Sequence, residues 1–303
     1  MAIEPPQRLM TALGEVRDDG ASAWLAELGV LLDEAAVRRG LAVEKVHQPG
    51  GRSSLVAHVR TADGESAVLK LAPERFRPEA ERAALTHWGG FGAVRLLDPG
   101  INDGAMLLER LTPEVSVRTL PESKALLEAA GTLRRLWVDP PPGRNCETVP
   151  ERTGRQAEAM RATPGAFPDF PGIALLVDSA LAAREELVAA PPELRLLHGT
   201  FRQSKVLAGE RSPWLAVGPD PVVGECAFDL ARLVRDRVED LIGAPTGPST
   251  TRRRVKRLAE SLDVDPVRLR GWTLFRAVES GARALRVGRT RDAENLLEFA
   301  GWL

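Results

Sequence analysis

Cysteine, lysine and long apolar runs are all scarce in this sequence. Cys146 and Cys226 are the only cysteines, and their placement suggests no metal-ligand spacing. A disulfide framework is therefore not expected, and a reduced compartment suits the chain best. No segment approaches the roughly 18 uninterrupted apolar residues of a membrane-spanning helix. The opening stretch, MAIEPPQRLMTALGEVRDDG, has no apolar core behind a basic start. No secretory signal is read there, and a cytoplasmic location is expected. The formal net charge of -1 gives no basic field for nucleic acid or for an anionic membrane surface. Lysine occurs only at Lys45, Lys70, Lys124, Lys205 and Lys256. With arginine supplying most of the basic charge, a lysine at a chemically meaningful position carries more information.

What is present is ordinary for a folded protein. The chain has 303 residues, 44% hydrophobic and 27% charged, enough for one bilobal domain or two small ones. Residues 1–20 read as a loose arm or a marginal helix. ASAWLAELGVLLDEAAVRRG follows, with Trp24, Leu25, Leu28, Leu31 and Leu32 at helical spacing. VEKVHQ, SSLVAHVRT and SAVLKLA then read as strands divided by the turn signals PGG and ADGE. A helix over Glu81 to Trp88 leads into AVRLLDPGINDGAMLLERL, two short strands around the turn PGIND. From residue 114 onward the pattern is mainly helical. SKALLEAAGTLRRLW and GIALLVDSALAAREELVAA carry i, i+3, i+4 apolar spacing, and 139–173 reads as irregular apart from a short helix at Arg155 to Met160. Further on come a short strand WLAVG, a long helix from Ala227 to Ile242, and a surface loop GAPTGPSTT. TTRRRVK reads as a solvated helix start, and Asp265-Pro266 as the cap and first position of another helix. DAENLLEFAGWL closes the chain as a last helix.

The stretch LRLLHGTFRQSKVLAG, residues 194–209, resembles a kinase catalytic loop with its working parts replaced. Such loops carry His-x-Asp and an Asn five residues after the Asp. Here His198 is followed by Gly199 and Thr200, and Lys205 stands at the later position. Upstream, SAVLKLA offers Lys70 on a strand, where kinases keep a lysine that pairs with phosphate and with a helix glutamate. Glu81, in the following helix, could be that partner. HQPGGRSSLVAHV lies between two strands, the place for a loop whose backbone amides cover phosphates.

These features, with WGGFGAVRLL, LLERL, LRRL, PWLAV, PVVGECAFDLARL and LRGWTLFRAVES in this order, resemble the aminoglycoside phosphotransferases. The branch is the one holding streptomycin kinases and hydroxyurea phosphotransferases, and the resemblance runs from Trp24 to Ala300. It implies an α+β, bilobal, protein-kinase-like fold. A small antiparallel sheet lobe with its N-terminal helix would occupy 1–111, and a larger helical lobe 112–303. It further implies that Gly50, Gly51 and Ser53 belong to a nucleotide loop, that Lys70 is the phosphate lysine, and that Glu81 is its partner. Glu109 to Leu111 would be the linker whose backbone meets adenine. His198 and Asp229 would hold the catalytic loop in shape.

The departures fall on the chemistry. Thr200 stands where the family has its catalytic Asp, Lys205 where an Asn binds Mg²⁺, and Gly218 where a second metal ligand, an Asp, is expected. Glu225-Cys226 replaces the family's Asp-Pro, a milder change. Mg²⁺ takes hard oxygen ligands, whereas lysine has no acceptor and glycine no side chain. An ammonium at the metal position repels a dication by roughly 2 to 8 kcal/mol at about 4 Å. Threonine is no general base, and a positioned base is worth about 10²- to 10⁴-fold.

The expectation is a pseudokinase that binds a small molecule, a nucleotide without Mg²⁺, or a partner protein in the cleft between the lobes. The alternative is an ATP-dependent small-molecule phosphotransferase working through a shifted metal ligand, Asp220 or Glu225. Lys205 is expected to fill the metal position and to pair with one of those two carboxylates. His47, His58 and His87 are dispersed and show no metal spacing, and Trp272 and Phe275 are expected in the core.

Overall fold

Alternation along SSLVAHVRT and SAVLKLA sets the first part of the fold. In the computed structural model, which describes residues 4–16, 18–101, 103–143 and 146–303, both stretches are strands. Helices α1 (Gln7–Gly14) and α2 (Asp19–Arg38) precede β1 (Ala42–Val46), β2 (Leu55–Arg60) and β3 (Ser66–Leu71). Helix α3 (Pro78–Trp88) follows, then β4 (Ala105–Glu109) and β5 (Thr112–Ser116). The first four strands form one antiparallel sheet in the order β1-β2-β3-β4. Leu55, Ala57, Val59, Ala67, Leu69 and Leu71 share a buried cluster with Leu9, Leu13, Leu28 and Leu32 of α1 and α2. Successive side chains of a strand point to opposite faces. Val68 and Lys70 therefore emerge on the face away from α1 and α2.

Of the loose arm or marginal helix expected over 1–20, the helix forms, and it is docked, since Leu9 and Leu13 lie in the core. Met1 to Ile3 and Arg17 are outside the described residues. Asp18 caps α2 by accepting the Ala21 amide at 3.1 Å. The first strand expected in AVRLLDPGINDG does not form: Ala93 and Leu96 make isolated bridges, to Ala216 and Leu108. Asn102, in the expected PGIND turn, is outside the described residues. Side chains do the fixing here instead. The buried guanidinium of Arg39 donates to Asp98 at 2.6 Å and to Asp103 at 2.8 Å.

That bridge gives an acid-stability prediction. Hydrogen bonding from Arg39 holds the Asp103 carboxyl at about 2, below its ordinary value, against the opposing effect of burial. A depressed carboxyl stabilises the fold above its unfolded value and stops doing so as pH falls through its folded value. Asp103→Asn should therefore cost about 1 kcal/mol at neutral pH, allowing for solvent screening. In urea melts the gap from wild type should close between pH 4 and pH 2; a pH-independent gap would contradict this assignment.

The second part is helical, as the apolar spacing predicts. It contains α4 (Glu122–Leu136), α5 (Val149–Arg161), the one-turn α6 (Thr163–Ala166), α7 (Ile173–Ala189) and β6 (Arg195–Leu197). The chain then forms β7 (Val206–Ala208), β8 (Leu215–Ala216) and β9 (Val222–Gly224). It continues through α8 (Cys226–Val234), α9 (Val238–Ile242), α10 (Gly247–Leu262), α11 (Pro266–Arg286) and α12 (Thr290–Ala300). Two compact units result, one of 1–115 with 207–220, the other of 116–206 with 221–303. Strands β5, β7 and β8 make a second sheet, while β6 pairs with β9. The core of the helical unit is α11, started as expected by Asp265, which accepts the Val267 amide at 2.7 Å ahead of Pro266. Trp272 lies edge-on to Phe228 and to Phe275, all three buried.

Four local expectations are corrected. The helix expected over 227–242 breaks after Val234, and Arg237 takes a left-handed φ of 57°. Arg254 of α10 supplies the reason: its guanidinium donates to the carbonyls of Val234 and Asp236, both at 2.8 Å, and so caps the broken end. Arg254 is consequently buried, so TTRRRVK is not merely a solvated helix start. The loop expected over GAPTGPSTT is already helix from Gly247, with Pro248 in the first turn. The short helix expected near Arg155 begins earlier, at Val149, because Thr148 and Glu151 form a reciprocal capping box.

Candidate functional site

In the first unit, strand register places Lys70 opposite Val56 and Met106. The Lys70 ammonium meets the Glu81 carboxylate of α3 at 2.5 and 2.6 Å, both side chains buried. The expected pair is thus brought together. A buried pair of this kind is costly to separate, since either charge left alone is desolvated without compensation.

The glycine loop is seated on the N-terminal segment. Gly50 has a left-handed φ of 70°, and a side-chain carbon there would come within 2.7–2.8 Å of the Pro6 ring. Arg52 of the same loop pairs with Glu15, just beyond α1. Gly51 is exposed and Ser53 half-buried. The Glu109 carboxylate takes Arg211 at 2.6 Å and the Arg95 amide at 2.7 Å, while its own amide donates to the Arg95 carbonyl at 3.0 Å. Leu111 is buried beside Gly209. His47 and His58, dispersed in sequence, stack at 5.5 Å between ring centres because β1 and β2 pair. Gly218 has a left-handed φ of 62°. Asp220 accepts Arg77 at 2.8 Å.

In the helical unit the loop 198–205 keeps the support that the resemblance implies. Asp229, wholly buried on α8, accepts the His198 amide at 2.8 Å and the Gly199 amide at 2.9 Å. Arg276 of α11 lies over the Phe228 ring at 4.1 Å and donates to the carbonyls of Gly199 at 2.6 Å and Phe228 at 2.8 Å. Burial pushes the Asp229 carboxyl up, opposed by Arg276 and by the two amides. His198 is fully buried and edge-on to Phe201. Asp236 accepts the Gln203 amide at 2.6 Å, and Arg237 donates to the Gln203 side chain at 2.9 Å.

At the chemically meaningful positions, Lys205 Nζ donates to Thr200 Oγ1 at 2.7 Å. The two residues that the resemblance sets at those positions therefore bond to each other. Glu225, one of the two carboxylates expected to hold Lys205 or a metal, is engaged elsewhere. It is buried, and its oxygens accept Arg268 at 2.6 and 2.7 Å and the Trp272 indole at 2.5 Å. Arg268 is raised above its ordinary value chiefly by that bond.

The Mg²⁺ ion that a kinase fold implies is not fitted by these residues. In the helical unit, a hydroxyl that accepts from an ammonium and the ammonium itself offer no set of hard anionic ligands. Among the described residues no three His, Cys, Asp or Glu side chains gather as metal ligands elsewhere. The Cys226 thiol is pushed up by burial and is no candidate nucleophile.

Sequence reading missed Arg276 and the Glu225–Arg268–Trp272 group. A signal existed: charged residues recur at helical spacing within the otherwise apolar text of α8 and α11. It shows that charge is buried on these helices but does not name its partners.

Comparison with known proteins is consistent along most of the chain. Residues 39–288 match the family described as aminoglycoside/hydroxyurea antibiotic resistance kinase. Streptomycin 6-kinase of Streptomyces glaucescens is 34% identical over 279 residues, covering 92% of this chain and 90% of that protein. Hydroxyurea phosphotransferase of Kitasatospora aureofaciens is 35% identical over 271 residues, covering 83% and 74%. Among solved structures, aminoglycoside phosphotransferase APH(4)-Ia matches with a TM-score of 0.61 at 14% identity, covering 90% of this chain and 99% of its own. Choline kinase from Cryptosporidium parvum Iowa II matches with a TM-score of 0.60 at 10% identity, covering 90% and 93%. At such identities the structural matches speak for the fold alone, which is the kinase-like α+β fold. By sequence, the chain belongs to the aminoglycoside/hydroxyurea antibiotic resistance kinase family.

Proposed function

We propose that this chain is a pseudokinase of its family: it binds a ligand with the kinase-like fold and does not transfer phosphate. The observation that carries this reading is the 2.7 Å bond from Lys205 to Thr200. It lies in a loop whose shape Asp229 still maintains. A retained scaffold with an ammonium–hydroxyl pair at the reactive positions supports binding without turnover. Neither group takes a proton from an acceptor hydroxyl while the lysine is charged, and the ammonium repels a dication.

The Lys70–Glu81 pair supports retention of a weak nucleotide site, since a lysine so placed can meet phosphate oxygens. The ligand classes this reading admits are a nucleotide without Mg²⁺, a small polar molecule and a partner protein. Thermal-shift titration with ATP should give a small stabilisation, the same with Mg²⁺ as with EDTA. Labelled γ-phosphate should not pass to any small acceptor above background. A large shift seen only with Mg²⁺, or steady transfer abolished by Lys70→Ala, would show that the chain is a working phosphotransferase.

A further inference from the structure

Helices α8 and α11 each turn a charged stripe toward the interior of the helical unit. Asp229 and Arg232 of α8 are followed, just past its last residue, by Arg235 and Asp236, so that Asp229, Arg232 and Asp236 fall at i, i+3 and i+7. On α11, Arg276, Glu279 and Arg283 do the same. Some of these charges are well matched. Arg276 is engaged by two carbonyls, and Glu279 accepts Arg283 at 3.1 Å and the Ser280 hydroxyl at 3.1 Å.

Two guanidinium groups, Arg232 on α8 and Arg235 at its C-terminal cap, are not matched in this way. Arg232 is half-buried and makes no hydrogen bond or ion pair among the described residues. Arg235 is buried, and its one side-chain hydrogen bond goes to the neutral Ser280 hydroxyl at 3.0 Å. Each guanidinium has five N–H donors in a planar fork. None of their nitrogens is a buried donor without a partner, so the unbonded N–H groups stay open to solvent and to a ligand.

The surroundings add to the imbalance. Burial lowers Arg232 to about 10, helped by the positive charge of Arg202 and Arg283. Burial lowers Arg235 to about 9, helped by Arg232 itself. Asp236 and Glu279 oppose the shifts but do not cancel them. A group whose charged form is disfavoured by its neighbours is one that an added opposite charge would relieve. Adjacent guanidinium forks suit an oxyanion, which can accept paired hydrogen bonds from each.

We propose that Arg232 and Arg235, flanked by Arg202 and Arg283, form a binding site for a small ligand carrying a phosphate or carboxylate group. The site shares its support with the loop 198–205. Arg202 lies two residues beyond Thr200, and Asp236 of the same stripe holds the Gln203 amide. It names a ligand class for the binding role above and rests on that reading only for its biological use; occupancy itself requires no phosphoryl transfer.

The test uses the full chain in EDTA, without nucleotide, at constant ionic strength. Calorimetric titration with inorganic phosphate and, separately, with succinate asks which oxyanion is taken. At least one should bind with one site per chain, and Arg232→Gln should weaken it by about tenfold or more. Arg232→Gln should melt no lower than wild type, because it removes a cation that its neighbours repel. That separates loss of the site from loss of the fold. Arg252→Gln, an exposed change on α10, should leave binding unaltered. Binding abolished by Lys70→Ala and kept by Arg232→Gln would place the anion in the first unit and overturn the proposal, leaving the pseudokinase reading intact. No binding of either probe, or equal weakening in Arg252→Gln, would overturn it as well.

Discussion

Thr200→Asp, Lys205→Asn and Gly218→Asp, made together, are expected to bring Mg²⁺-dependent ATP turnover clear of the wild-type background. Each change alone should not. The three address different losses. A positioned carboxylate at 200 supplies a base worth about 10²- to 10⁴-fold. Removing the ammonium at 205 lifts a repulsion of roughly 2 to 8 kcal/mol against a dication. The backbone at 218 is already left-handed, a conformation that aspartate tolerates better than most residues, so the new side chain meets little conformational resistance. A coupled ATPase assay across the set of single, double and triple variants would read this directly. If Lys205→Asn alone gave an active kinase, only one part was missing, and the account of separate losses is wrong.

The largest effect on stability is expected at Asp229. Asp229→Ala should cost about 3 to 5 kcal/mol in urea unfolding, because it strips an acceptor from two buried amides and leaves Arg276 with uncompensated charge. Adding Arg276→Met should recover part of that loss, since the orphaned charge goes with it. A cost under about 1 kcal/mol for Asp229→Ala, or strict additivity in the double variant, would mean that the loop is held by something else.

Much of the fold was legible because its signals are local. Period-two alternation in β2 and β3 places Lys70 on the face of the sheet away from α1 and α2, and the helix carrying Glu81 follows within a few residues. Asp265-Pro266 marks a helix start through atoms two and three residues apart. The errors arose where a distant side chain decides the backbone. No local pattern in 227–242 announces that Arg254 will take the carbonyls of Val234 and Asp236 and end the helix there.

The site divides along the same line. The resemblance carried Asp229 and His198 to their supporting places, and the three departures at Thr200, Lys205 and Gly218 were visible as substitutions. Of the two carboxylates expected beside Lys205, Glu225 is the one that sequence reading misplaced. It lies 43 residues from Arg268 in sequence and is claimed by it in the fold. Charge pairing of this kind is settled by packing, which spacing does not encode.

The division between Asp229 and Thr200 has an evolutionary consequence. The atoms that hold the loop's shape are buried, while the positions that would do its chemistry are half-buried and take little part in the core. Mutations at the reactive positions are then almost invisible to selection for folding. A lineage can abandon catalysis there, keep an intact protein on which a new ligand preference can be selected, and regain catalysis later by the same few codons.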